Sequence, residues 1–160
     1  MNELSSKYIK PGKIFAHLDE LLKWKTGKQV YPITVELQPT NICNNNCFYC
    51  LAKRYRDKAS LNKQDLFKII KNLSKNKTKA IIFSGGGEPL LNPYTVEAIK
   101  YSKSLGLDVA LITNGVELNK ENIKKIVKYC TWIRLSIDAP NKFIYKKIRG
   151  VDFFNRVIDN

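Results

Sequence analysis

The run Ala80-Ile81-Ile82-Phe83-Ser84-Gly85-Gly86-Gly87-Glu88-Pro89 decides how this chain folds. Its first four residues are short and wholly apolar, as strands of a parallel sheet are when both faces are covered. The three glycines that follow let another group approach the backbone closely. Asn92 and Pro93 then open a helix, and Gly106 closes it. The unit is a strand, a glycine loop and a helix.

The same unit recurs on either side. Upstream, Ile33 to Gln38 alternates apolar and polar residues as a first strand. Asn62 then caps a helix with Leu66, Ile69, Ile70 and Leu73 on one stripe and Asp65 three residues past the cap. Downstream, Val109 to Thr113 is a third strand ending in Asn114-Gly115, followed by the stripe Ile123, Ile126, Val127 and Cys130. Trp132 to Asp138 reads as a fourth strand, and Asp152 caps a helix starting at Phe153. Strict alternation predicts an α/β fold with a parallel sheet and helical crossovers.

Ahead of these units, Ile14, Phe15, Leu18, Leu21 and Leu22 follow a Pro11-Gly12 turn at helical spacing. Residues 1–29 are therefore expected to form a short lead helix and linker, and 30–160 the main domain. Two strands break the apolar rule. The first carries Thr34, Glu36 and Gln38 on one face, the fourth Arg134, Ser136 and Asp138. Such a stripe lines a wet barrel lumen, or the strands lie at sheet edges and face water. The chain ends inside an amphipathic helix (Phe153, Phe154, Val157, Ile158), and four parallel strands would leave both edges unpaired. The expectation is the front part of a larger barrel, completed by further chain or by a partner.

Composition sets outer bounds. With 160 residues, 44% hydrophobic and 26% charged, a packed core is feasible. Lys and Arg total 28 against 14 acids, a net +14, which invites a nucleic-acid partner or reflects a lysine-rich bias on solvated helix faces. The lysines are scattered, with no dense block and no basic-aromatic RNA motif. No apolar run approaches the roughly 20 residues of a membrane span. The polar start lacks a secretory signal, so a cytoplasmic protein away from membranes is expected.

Three of the four cysteines, Cys43, Cys47 and Cys50, fall on one short loop directly after the first strand. With no export signal, thiols packed this tightly read as metal ligands. Zinc normally takes four ligands, often as two Cys-x-x-Cys pairs, and no second pair follows. Three thiolates instead suit three corners of a 4Fe–4S cluster, with one iron left open to a ligand. Cys130 is either a fourth ligand or a buried core thiol on its apolar stripe, and the stripe favours the thiol. His17 reads as an ordinary residue of the lead helix. The cysteine loop, Gly85 to Glu88, Asn114, and Ser136 with Asp138 all fall at the C-terminal ends of successive parallel strands. Barrel and open-sheet active sites are built at that end.

At these residues the chain resembles the radical S-adenosylmethionine (radical SAM) superfamily, whose signature is Cys-x3-Cys-x-aromatic-Cys followed by a Gly-Gly-Glu element. The resemblance runs from about Pro32 to the C-terminus, and Val30 to Cys50 with Ser84 to Pro93 is similar to the branch with SPASM or twitch extensions. It implies a partial (βα) barrel of six units, of which four are present here. It also implies an enzyme that binds a 4Fe–4S cluster and SAM and cleaves SAM reductively to a 5′-deoxyadenosyl radical. That radical would take hydrogen from an unassigned substrate, a peptide or small molecule rather than RNA, with flavodoxin or ferredoxin as electron donor. Cys43, Cys47 and Cys50 would hold the cluster. Gly85, Gly86 and Gly87 would meet the methionyl amine, Glu88 would complete the motif, and the Tyr49 backbone would face the adenine. Ser136, Asp138, Arg149 and Asn114 are further SAM candidates; Arg149, in Lys147-Ile148-Arg149-Gly150, would pair the carboxylate or be a solvated loop arginine. Two other readings stay open. One is a non-catalytic iron–sulfur or zinc module with a basic RNA-binding surface, and the other a half-barrel assembly partner.

Overall fold

The computed structural model describes residues 15–54 and 56–160. Ile14, the Pro11-Gly12 turn and the polar start lie outside the described residues. The chain divides into two units, Met1–Pro32 and Ile33–Asn160. Within the first, helix α1 spans Leu18–Lys25, with Asp19 and Glu20 in its first turn and Lys23 and Lys25 in its last. These charges complement the helix dipole.

The second unit carries a sheet of four parallel strands in the order β1 (Thr34–Leu37), β2 (Ala80–Phe83), β3 (Asp108–Thr113) and β4 (Trp132–Leu135). Helices α2 (Lys63–Lys75), α3 (Thr95–Ser104) and α4 (Lys120–Tyr129) make the crossovers. As the sequence predicts, the Asn62 side chain caps α2 by accepting from the Asp65 N–H. The strand register lines up Leu37, Phe83, Leu111 and Ile133. That row packs with Leu66, Ile70, Ala98, Ile99 and Ile126 of the helices, forming the main core. Fully burying one such side chain stabilises the fold by about 1.5–3 kcal/mol.

Side chains alternate across a strand, so Glu36, Ile82, Ala110 and Arg134 belong to the other sheet face, away from this helical core. Glu36 and Arg134 are exposed. Both polar-striped strands, β1 and β4, are also the edges of the sheet. The open face and the edge position together explain why their sequences break the apolar rule.

The structure departs from the sequence reading after β4. The strand stops at Leu135 rather than Asp138, whose backbone turns left-handed at φ +55°. Residues 142–149, to which the sequence reading assigns no element, form helix α5 (Lys142–Arg149), capped by the Asn141 side chain on Ile144 N and closed by Gly150 at φ +68°. Asp152 does not cap the next helix, α6 (Phe154–Asp159), but pairs with Lys142 at 3.4 Å. α5 and α6 enclose a second, smaller core of Tyr145, Val116 and Val157, with Ile137 and Phe154 against it. Among the described residues, no helix is long and apolar enough to cross a membrane.

Candidate active site

The cysteine loop is fastened on three sides. Ile42 O accepts from the Glu88 N–H at 2.8 Å, which joins the loop to the glycine segment after β2. Asn44 Oδ1 accepts from Asn114 Nδ2 at 2.7 Å, which joins it to the end of β3. Asn46 N–H and Phe48 N–H donate to Arg149 O (2.9 Å) and Ile148 O (3.2 Å), carbonyls at the C-terminal end of α5. Helix ends leave such carbonyls without an intrahelical donor, and here the loop supplies one.

Two glycines make this packing possible. A Cβ on Gly87 would lie 2.2 Å from Ile42 O, and one on Gly150 would lie 2.6 Å from Asn46 O. Backbone meets backbone at both points, so a side chain cannot be accommodated by a rotamer change. The glycine run is held further by Gln38, whose Oε1 accepts from Gly86 N–H at 3.1 Å.

Glu88 is 2% exposed and spends its carboxylate inside the protein. Oε1 accepts from Thr113 Oγ1 (2.6 Å) and Leu90 N–H (3.1 Å), and Oε2 from Asn114 N–H (2.8 Å). Burial pushes its pKa up, against the pull of these three donors. Asn92 also ties segments together. Its Nδ2 reaches Pro39 O, Ser60 Oγ and Leu61 O, while Oδ1 accepts from Tyr94 N–H. The strand-end loops are thus tied to one another before any ligand is considered.

A cavity of about 150 Å³ opens between them. Cys43, Cys47, Cys50, Gly85, Gly86, Gly87, Glu88, Asn114, Ser136 and Arg149 line it, so most of the sequence-derived candidates meet. Tyr49 and Asp138 are not part of that lining, but they join its wall. Tyr49 Oη donates to Asp138 Oδ2 at 2.6 Å, and Arg149 Nη2 reaches the same oxygen at 2.7 Å. Burial and the bond to Asp138 raise the Tyr49 pKa.

Arg149 is no solvated loop residue. It ends α5 and is 4% exposed. Its guanidinium donates to Ser136 O, Ile137 O, Asp138 and Cys47 Sγ. Burial opposes its charge, but the bond to Cys47 and the neighbouring anionic groups hold its pKa up.

One charged lining residue, Arg56, escapes a sequence reading. Arg56 donates to Cys50 Sγ at 3.2 Å and Asn45 O at 3.3 Å, while its buried Nε has no hydrogen-bond partner. Asn45 is buried, and neither its Nδ2 nor its Oδ1 has a partner. Burial pushes the Tyr145 phenol's pKa up, with nearby Asn45 opposing it, yet neither group reaches hydrogen-bond geometry. No sequence signal separates Arg56 from the other basic residues around it.

The donor set fits a cluster better than a single ion. No three His, Cys, Asp or Glu side chains among the described residues gather where one metal ion could take them. Three thiols spaced around a cavity suit a polynuclear group that meets each at a different corner. The unpartnered Asn45 amide offers a polar contact at that cavity, and the two arginines place positive charge beside thiolates. Burial raises the Cys43 thiol pKa, against the Asn45 N–H and the Arg56 charge, so cluster binding must offset that cost. Cys130 stands apart. It follows α4, packs against the main core, and burial pushes its pKa up to about 11.

Comparison with known proteins agrees with this geometry. The model of the Radical SAM superfamily matches residues 37–160. A S-adenosylmethionine-dependent nucleotide dehydratase of Flammeovirga pacifica is 32% identical over 133 residues, covering 79% of this chain and 45% of the relative. A probable GTP 3',8-cyclase of Saccharolobus islandicus is 36% identical over 125 residues, covering 75% of this chain and 39% of the relative. The chain thus spans less than half the length of these curated relatives. Among solved structures, SuiB of Streptococcus suis bound to precursor peptide SuiA superposes with a TM-score of 0.71 at 18% identity, covering 95% of this chain and 35% of that one. Native anSMEcpe with bound AdoMet and Cp18Cys peptide gives a TM-score of 0.66 at 22% identity, covering 81% of this chain and 38% of that one.

Proposed function

The chain belongs to the radical SAM superfamily, and from that membership we propose that it carries the cluster-binding and SAM-binding part of a radical SAM enzyme. One observation supports the reading most strongly: Cys43, Cys47 and Cys50 share one cavity wall with the Gly85–Gly87 segment at the C-terminal ends of parallel strands. The family's cofactors are a 4Fe–4S cluster and SAM; bound together, they supply reductive cleavage of the sulfonium C–S bond to a 5′-deoxyadenosyl radical.

The three cysteines hold the cluster, and this chain's other residues position and shield. Backbone groups of Gly85, Gly86 and Gly87 meet the methionyl amine of SAM, and Gln38 and Glu88 keep that segment in place. The Tyr49 backbone faces the adenine, and Ser136 and Asp138 serve the ribose. Asn114 shapes the wall, its amide bonded to Asn44 and to the Val116 N–H, and keeps a second amide N–H for SAM at the cavity it lines. Arg149 has most of its donors occupied and likewise acts from the wall. A low-potential donor such as flavodoxin or ferredoxin supplies the electron.

For the substrate, the two relatives described above, at 32% and 36% identity and named for reactions on nucleotides, support a nucleotide as the first class to test. A peptide is second, because the peptide-bound neighbours are alike in fold at 18% and 22% identity.

Anaerobic reconstitution with iron and sulfide, followed by dithionite and SAM, tests the proposal. Bound iron and 5′-deoxyadenosine are expected from the wild type, and neither from Cys47→Ala. A wild-type chain that takes up no iron sinks the cluster assignment. RNA affinity that collapses with salt and ignores SAM would favour the RNA-binding module.

A further inference from the structure

Two arginines far apart in sequence each aim a guanidinium at a different cysteine of the loop. Arg149 Nη1 lies 3.4 Å from Cys47 Sγ, and Arg56 Nη2 lies 3.2 Å from Cys50 Sγ. The third thiol, Cys43, receives a neutral donor, the Asn45 backbone N–H, at 3.5 Å. The positive charge is therefore placed on two corners of the three.

Both guanidiniums are fixed. Arg149 is 4% exposed, and Ser136 O, Ile137 O and Asp138 hold its other nitrogens. Arg56 is held by Asn45 O, and its buried Nε goes without a hydrogen-bond partner. Leaving a buried donor unpaired costs free energy, so the contacts of its other two nitrogens keep Arg56 where it is.

A cluster's reduction potential depends on its net charge, its exposure and the hydrogen bonds its sulfurs accept. One electron from an external reductant adds one negative charge. A guanidinium beside a thiolate favours the more negative state, and does so strongly where water is excluded. We propose that Arg56 and Arg149 are potential-setting residues: each donates N–H···S to its own cluster thiolate and makes the cluster easier to reduce. This rests on the cluster assignment above. It gives Arg149 a role that does not require SAM.

The test is a redox titration of the reconstituted full chain without SAM, with dithionite as reductant and EPR as readout. Arg56→Met and Arg149→Met are each expected to lower the reduced-to-oxidised ratio at fixed potential about tenfold, a shift of about 59 mV for one electron. Lysine at either position should recover part of the shift, since it restores charge without the planar fork. Unchanged potentials in variants with full iron content overturn the proposal. Should Arg149→Met fail to fold, Arg56→Met decides alone. Should both fail to load iron, the wild type decides: with 15N in the arginine guanidinium groups, the reduced cluster should show hyperfine coupling to 15N. Absence of that coupling overturns the proposal. A wild type without cluster signal overturns the cluster assignment itself, and this proposal with it.

Discussion

The Asn46 backbone N–H donates to the Arg149 carbonyl at 2.9 Å, so the cysteine loop is seated on a helix end that comes far later in the chain. Gly150 makes that seat possible. It is left-handed at φ +68°, and its missing side chain leaves room for Asn46 O.

Gly150→Ala is predicted to cost about 1–2 kcal/mol for the left-handed backbone alone and to push the loop away as well. Gly106→Ala is the control. Gly106 has φ +80° and nothing within 4 Å of its would-be Cβ, so it incurs the backbone penalty without the clash. Both variants should lose thermal stability, but only Gly150→Ala should lose iron per chain on reconstitution. Equal iron in the two variants would show that the seat does not matter.

Glu88 is predicted to be structural in its stability effect. Glu88→Gln replaces one acceptor oxygen with an NH2 that faces a protein donor, either Asn114 N–H or the Leu90 and Thr113 pair. A buried mismatch of this kind costs about 1–3 kcal/mol. Denaturant unfolding of the apo-protein should show it, with the slope of the transition unchanged.

The same carboxyl predicts a pH dependence. Burial raises its folded-state pKa above the ordinary 4.5. Just above that value the folded chain retains a proton that the unfolded chain has released. The Glu88 contribution to stability therefore falls as pH rises from 4.5 through the folded pKa. Subtracting Glu88→Gln from wild type at each pH isolates this slope. A difference that grows more stabilising with pH over that window would contradict it.

Cys130 is predicted to be a slow thiol outside the cluster. With its pKa near 11 against an ordinary 9.0, its thiolate fraction at mildly alkaline pH is about a hundredfold lower. The higher basicity of that thiolate returns about tenfold in nucleophilicity, leaving alkylation about tenfold slower than for an ordinary thiol. In iron-loaded protein, mass spectrometry should find iodoacetamide on Cys130 while Cys43, Cys47 and Cys50 are protected. Cys130→Ser should leave iron content unchanged.

The strand-and-helix plan up to β4 was legible because each unit carries a local signal: the apolar run Ala80–Phe83, the Asn62 cap, the stripe of α4. The cysteine spacing was legible for the same reason. The segment after β4 was not. α5 is rich in lysine, and its buried side is carried chiefly by Tyr145 and the Arg149 side chain, so its apolar stripe is short. Arg149 shows the limit most clearly. The sequence leaves it between a partner for the SAM carboxylate and a solvated loop arginine, and only the fold brings Cys47, Ser136 and Asp138 around it. Glu88 carries a role that no local signal reveals: read as completing the Gly-Gly-Glu motif, it also holds the ends of β2 and β3 together.

The loop's dependence on Ile148, Arg149 and Gly150 also sets an order of events. Residues 43–50 can emerge and collapse early, but their seat exists only after β4 and α5 have formed. Closing so long a stretch of chain carries an entropic cost that only the last contacts repay. The cluster pocket is thus a late product of folding, although the cysteines come early in the chain. Iron offered before residue 150 has docked would meet three thiols still without their seat.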